Sequence, residues 1–152
     1  MLETPHIAVG AVIAKLIPNP FVAVPLSFAS HFILDMTPHW NPHLNTEIKK
    51  YGKLTNSTLL IIAIDLAGAI ILAHFLSYKS LPNSSLALNI LLCSFTSILP
   101  DIVEGPYFLF GYKNKYLSFW INLQKRIQVD ANVFWGSITQ ILVILCSFYI
   151  FS

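Results

Sequence analysis

His31-Phe32-Ile33-Leu34-Asp35-Met36-Thr37-Pro38-His39-Trp40 closes an apolar segment with an acid, two histidines and a tryptophan. His31 and Asp35 are four residues apart, so on a helix they share a face, one turn from each other. That spacing lets two side chains converge on one metal ion. Pro38 ends the helix, because its ring cannot follow a helical turn and it disfavours helical backbone in the residue before it. His39 and His43 lie just beyond, where a loop can fold them back. Polar groups this close to an apolar run are costly in lipid and usually functional. The stretch therefore reads as one wall of a metal site at the mouth of a small helical membrane protein.

Composition supports that setting. The chain has 152 residues, 55% of them hydrophobic and only 11% charged, with a mean hydropathy of +0.67. A soluble domain carries about 25% charged residues, so these few charges cannot wet the outside of a globule. Ala131 to Ser152 and Ser80 to Pro100 contain no charged residue, and each approaches the roughly 20 residues that cross a bilayer. The alternative, a buried hairpin in a soluble protein, is disfavoured because so short a chain cannot bury several such runs. Glu3 stands where a signal peptide would be basic, so no cleavable signal is expected. Cys93 and Cys146 sit in apolar runs and read as small core residues. The net charge of +2 gives no reason to expect a nucleic-acid partner.

The expected fold is all-α: a single multi-pass membrane domain, residues 1–152, of about five helices. Thr4-Pro5 opens the first, which runs to about Ile17, with Thr4 as its cap. Pro18-Asn19-Pro20 turns the chain into a second helix, about Phe21 to Thr37. This pair forms a hairpin, spanning or re-entrant, and either way His6 returns to the end that holds His31 and Asp35. Pro38 to Thr55 is a polar loop. The third helix runs from about Asn56 to Tyr78. The fourth runs from about Ser84 to Glu104, stopped by Gly105-Pro106. Tyr116, Phe119, Trp120 and Ile121 in the loop from Asn114 to Asp130 suggest a helix lying at the membrane surface. The fifth helix runs from about Ala131 to Phe151.

The loops flanking the third and fourth helices carry Lys49, Lys50, Lys53, Lys113, Lys115, Lys125 and Arg126. By the positive-inside rule they face the cytoplasm, as does the amino terminus, in the cytoplasmic membrane. His6, His31, Asp35, Asp101 and Glu104 then all lie at the cytoplasmic end, with Asp101 and Glu104 one turn apart on a single face. Asp65 is roughly 14 Å along its helix from that end at 1.5 Å per residue. So many titratable groups at one mouth require something cationic among them, and a divalent metal also keeps carboxylates ionised. Mixed nitrogen and oxygen donors point to zinc, with manganese or iron as alternatives. The candidate metal ligands are His6, His31, Asp35, His39, Asp65 and Asp101. The bland readings are an i,i+4 hydrogen-bonded His31/Asp35 pair, an Asp65 paired with a neighbouring hydroxyl, and His39-Trp40 as an interfacial anchor. Gln124-Lys125-Arg126 reads as a lipid-phosphate contact.

Thr4-Pro5-His6 before an Ala/Gly-rich helix, with Leu99-Pro100-Asp101 ending a later one, resembles the bacterial inner-membrane proteins classed as metal-dependent hydrolases. The blocks His31-x-x-x-Asp35-x-x-Pro38-His39 and Leu99-Pro100-Asp101-Ile102-Val103-Glu104-Gly105-Pro106 look like small prokaryotic membrane proteins near that family. The family has an early histidine, a Pro-Asp-x-Asp-His element and a later Thr-His-Ser element. Here Val103 and Glu104 replace the second Asp and the His, and there is no Thr-His-Ser. The resemblance implies metal ligation by His6 and Asp101 and a hydrolytic reaction. The expected activity is therefore metal-dependent hydrolysis of an ester or phosphoester at the cytoplasmic face, with membrane lipids as surroundings and a lipid as one possible substrate. Glu104 would act as general base. The other expectation is non-enzymatic: a structural or transport-related polar or metal cluster.

Overall fold

Asparagine and threonine side chains start most of the helices. In the computed structural model, which describes residues 1–152, the chain forms α1 (Glu3–Leu16), α2 (Pro20–Asp35), α3 (Leu44–Tyr51), α4 (Asn56–Lys79), α5 (Ser84–Phe110), α6 (Lys115–Ile127) and α7 (Val133–Phe151). Asn19 caps α2 by accepting from Phe21 N, Thr55 caps α4 from Thr58 N, Asn83 caps α5 from Leu86 N, Asn114 caps α6 from Leu117 N and Asn132 caps α7 from Trp135 N. Each side-chain oxygen satisfies one of the amide donors that a helix start leaves free. At the other end, Gly52 and Gly111 adopt left-handed backbone, φ 71° and 67°, and close α3 and α5.

The protein is all-helical, with seven helices rather than five. α3 lies inside the stretch read as a polar loop, and α6 is the expected surface helix. α5 does not stop at Gly105-Pro106 but runs on to Phe110. A proline removes one intrahelical bond without forcing an end where neighbours hold the turn, and here the left-handed Gly111 sets the end. α2 ends at Asp35, earlier than expected. Thr4 does not cap α1; it lies in the first turn, and the cap comes from another helix, as described below.

α1 is the centre of the bundle, packed by α5, α2, α4 and α7. Its Ala8, Ala11 and Ala14 meet Ala69, Ala73, Ile90 and Cys93 in the main core. Small side chains let helix axes approach closely. The approach is tightest at Gly10, where a Cβ would stand 2.7 Å from the Cys93 carbonyl oxygen and 3.0 Å from Ser97 Oγ. A satellite core of Leu54, Phe108, Leu117 and Ile121 lies beneath α3 and α6. α4, α5 and α7 are each long and apolar enough to cross a membrane. Their outer faces stay apolar: Ile64 is 63% exposed, Ile71 69% and Leu145 58%. α1 and α2, with 14 and 16 residues, span about 21 and 24 Å, short of a hydrocarbon core about 30 Å thick.

Glu47 of α3 braces the start of α4. Its Oε2 accepts from Thr55 N at 2.8 Å and its Oε1 from Thr58 Oγ1 at 2.7 Å. The Thr55 backbone N–H, then the Thr58 hydroxyl, hold this carboxyl below the ordinary glutamate range. A lowered folded pKa means that the contact stabilises the fold above the unfolded value and is lost as pH falls through the folded one.

Two outcomes follow from this packing. Gly10→Ala lowers stability by about 1–3 kcal/mol, whereas Gly68→Ala, whose Cβ meets nothing nearer than Thr4 Oγ1 at 3.7 Å, leaves it unchanged or raises it by up to about 1 kcal/mol; denaturant unfolding of both variants measures the difference. The Thr55 and Thr58 amide NMR signals titrate with a midpoint below that of an ordinary glutamate and stop titrating in Glu47→Gln.

Candidate metal centre

His6 lies in the second turn of α1, His31 and Asp35 in the last turns of α2, and Asp101 in α5 just after Pro100. The α1–α2 hairpin returns His6 to the end that carries Asp35, and the His6 and His31 rings stack at 4.2 Å between centroids. His6, His31 and Asp101 each offer a ligand atom, and the three atoms lie within 4.8 Å of one another. Asp35 sits among them, its Oδ1 3.4 Å from His6 Nε2 and its Oδ2 3.5 Å from His31 Nε2. Asp101 Oδ1 is also 3.5 Å from His31 Nε2. The Met1 amino group lies against Asp35 Oδ1 as well.

Hydrogen bonding fixes the His31 ring. Its Nδ1 faces the Ser97 carbonyl at 2.9 Å, and a carbonyl only accepts, so Nδ1 carries a hydrogen and donates it. Nε2 then points at three oxygens: Gln124 Oε1 at 3.0 Å and the two aspartates at 3.5 Å. Gln124 cannot present its NH₂ group instead, because that group donates to Glu104 Oε1 at 2.7 Å and to the Pro100 carbonyl at 3.2 Å. A bare lone pair facing acceptors alone is repulsive, so the arrangement requires positive charge: a proton on Nε2 or a metal ion. His6 is fully buried, and apart from Asp35 Oδ1 at 3.4 Å from Nε2 its ring nitrogens have no polar partner in hydrogen-bond geometry, whereas buried polar groups are nearly always satisfied.

The donor set fits a divalent ion. Two ligands about 2.0–2.2 Å from one zinc ion in a tetrahedral array stand roughly 3.3–3.6 Å apart, and the contacts of 3.4 and 3.5 Å match. The outer support fits too, since a ligating imidazole ordinarily donates its other N–H to a carbonyl or carboxylate.

His39 stands behind this group. Its Nε2 is 3.7 Å from Asp35 Oδ1 and accepts from Gln128 Nε2 at 3.0 Å, while its Nδ1 donates to the Thr37 carbonyl. Burial holds this imidazole below its ordinary pKa. Backbone bonds pin the loop: His39 N donates to the Val129 carbonyl at 3.1 Å, Ala131 N to the His39 carbonyl at 2.7 Å and Val129 N to the Asp35 carbonyl at 2.9 Å. α7 closes over it at Gly136, where a Cβ would come within 2.7 Å of the His39 carbonyl carbon.

Asp65 is not brought to the cluster. Its Oδ2 accepts from Glu3 N at 2.5 Å and its Oδ1 from Thr4 Oγ1 at 2.7 Å. α1 has no side-chain cap of its own, and Asp65 supplies one from α4. This replaces the sequence-based cap, while Asp65 also lines the cavity that Asp35 and Asp101 border.

Glu104 faces a cavity of about 300 Å³ that Asp35, Asp101 and Gln124 also line. Glu3 lines it too, with its Oε2 buried and unpaired. Glu3 lies three residues before His6, on the same side of α1, which is the signal that would have singled it out. Gln124 was hidden within a basic run, Gln124-Lys125-Arg126, that reads as surface.

No family model matches the chain, and neither a curated protein nor a solved structure resembles it.

Asp65→Ala lowers stability by about 1 kcal/mol through loss of the cap and leaves any bound ion in place, whereas His31→Ala and Asp101→Ala lose it; unfolding and elemental analysis of the same samples separate the two roles.

Proposed function

We propose that the chain is a multi-pass protein of the cytoplasmic membrane that hydrolyses an ester or phosphoester with a divalent metal, and that it stands near the membrane-bound metal-dependent hydrolases it resembles. The observation that carries this reading is the fully buried, unpartnered His6 beside a His31 Nε2 that faces only acceptors, with the carboxylates of the same group opening onto a cavity. α4, α5 and α7 cross the bilayer, and the α1–α2 hairpin enters it part of the way. The loops with α3 and α6 carry most of the basic residues and lie on the cytoplasmic side.

His6, His31, Asp35 and Asp101 would hold the ion, and His39, its ring fixed by Thr37 and Gln128, closes the side behind Asp35. Zinc suits the two imidazoles and two carboxylates, and manganese or iron are the alternatives. A bound ion of this kind lowers the pKa of water and polarises an ester or phosphoryl oxygen. Glu104 takes the proton from the attacking water, and the Gln124 amide aims it. Lys125, on the same cavity wall, receives the negative charge of the substrate. The buried histidines keep lipid and bulk water from the rear of the site, so reactants arrive only by the cavity.

The non-enzymatic reading has less support. A conduit needs polar groups continuing through the bundle to the far side, and beyond Ser94 the buried Asn89 has its amide nitrogen tied to the Ala14 and Ile17 carbonyls among Ala11, Ala14, Ile90 and Cys93. A closed structural site would use every ligand internally, yet the Asp101 side chain is 28% exposed on the cavity side.

Elemental analysis of the detergent-purified protein tests the proposal. One or two equivalents of a transition metal in the wild type, absent from His31→Ala and Asp101→Ala, support it; a metal-free, folded wild type overturns it. Glu104→Gln keeps the metal and lowers turnover of a phosphoester or carboxylester by about 10²–10⁴-fold.

A further inference from the structure

Gln124 is buried beside His31, yet it comes from α6, a helix that meets the bundle chiefly through α5 and α2. Its amide plane is fixed. The NH₂ group makes both of its bonds, to Glu104 Oε1 and to the Pro100 carbonyl. The carbonyl oxygen is therefore aimed inward and held 3.0 Å from His31 Nε2, the atom through which His31 would bind an ion. That same Nε2 stands 3.5 Å from an oxygen each of Asp35 and Asp101. An amide oxygen in that position has no donor left to meet unless one is supplied by a proton on His31 or by a cation. Amide carbonyls are ordinary ligands of hard and borderline divalent ions.

Pro100 makes the arrangement possible. A proline inside a helix disrupts the backbone bonding of its turn, and the side chains of other helices bond to carbonyls there: His31 to Ser97, Trp120 Nε1 to Pro100 at 3.1 Å, and Gln124 to Pro100. Two of these three tethers come from α6. α6 is held further by the small apolar cluster around Leu117 and Ile121 and by the Trp120 ring against Phe28 and Phe32. α6 also supplies Ile121, Lys125 and Gln124 to the cavity wall.

We infer that Gln124 Oε1 is a further ligand of the ion at His6, His31, Asp35 and Asp101, and that ion binding thereby fastens α6 as the wall of the cavity. The inference rests on the metal reading above. It makes the ion a link between the bundle and the helix that carries Lys125, so that the substrate cavity takes its final shape only when the site is loaded. It also ties Glu104 to the ion through one amide: the oxygen of Gln124 binds and its nitrogen orients the base.

The test uses the full-length protein in detergent micelles, stripped with EDTA and titrated with Zn²⁺ and, separately, Mn²⁺, for wild type, Gln124→Leu and Gln124→Glu. Ion affinity and hydrogen exchange of residues 115–127 are both measured, with helicity by circular dichroism confirming the fold. In the wild type the ion slows exchange in α6. Gln124→Glu, which keeps an oxygen ligand, retains binding and the α6 response. Gln124→Leu binds about 10–100-fold more weakly, and its α6 exchange no longer responds to the ion. Wild-type affinity in a folded Gln124→Leu overturns the ligand assignment and leaves the metal reading standing. Weakened binding with an unchanged α6 response overturns the clamp. A wild type that takes up neither ion overturns the metal reading itself.

Discussion

The close approach of α1 to α5 at Gly10 governs everything around the site. His6 and Gly10 are four residues apart on α1, as are Ser97 and Asp101 on α5, so each pair shares a helix face. The helices run in opposite directions, and seating Gly10 against Cys93 and Ser97 brings His6 level with Asp101 one turn further on. The same Ser97 carbonyl takes the Nδ1 hydrogen of His31. A single contact between two small residues therefore sets the distance between three helices and the aim of two imidazoles. A larger residue at Gly10 would push α1 away and separate the ligands, although none of them would have been touched.

Charge imposes the second constraint. The cluster brings several acceptors around few donors, and it lies in a bundle whose main core is built of apolar side chains. Replacing such a group with well-packed apolar side chains is often neutral or stabilising, so burial of polar groups is weak evidence that stability requires them. Here the polar groups have a second and third layer. Ser97, Thr37, Gln124 and Gln128 each hold a member of the inner group in one orientation, and Gln140 joins Leu2 N to the Trp40 carbonyl at 2.9 Å each. Layered support of this kind is what a ligand-binding centre needs, because ligands must be held in place before the ligand arrives.

Much of the helical layout was legible because it is carried by local signals. The Pro18-Asn19-Pro20 turn and the uncharged runs placed α2, α4, α5 and α7 to within a few residues at most ends. The convergence of His6, His31, Asp35 and Asp101 followed from counting hairpins. The failures have one cause: a distant residue took over a local role. α1 starts without its own cap because Asp65, sixty-odd positions away in the chain, accepts its first amides, a role that its place in α4 does not announce. α5 passes Gly105-Pro106 because the packing of Phe108 beneath α6 sustains the last turns. Gln124 looked like surface because two basic residues follow it, and only the amphipathic turn of α6 places it inward. His39 needed Val129 and Ala131 to pair with it before its position behind Asp35 was visible.

The asymmetry of the cluster explains why chemistry, and not only binding, is a reasonable use for it. The imidazoles of His6, His31 and His39 are fully buried, so nothing can approach from the bundle side. The carboxylates of Asp101 and Glu104 border the cavity, with Leu54, Ile62 and Phe108 forming an apolar stretch of its wall. The cluster is thus closed behind by buried imidazoles and open in front, where an apolar stretch, Lys125 and the carboxylates share one wall. Exclusion of water from the buried side strengthens each electrostatic interaction there, and the Met1 ammonium against Asp35 already brings one positive charge into that region.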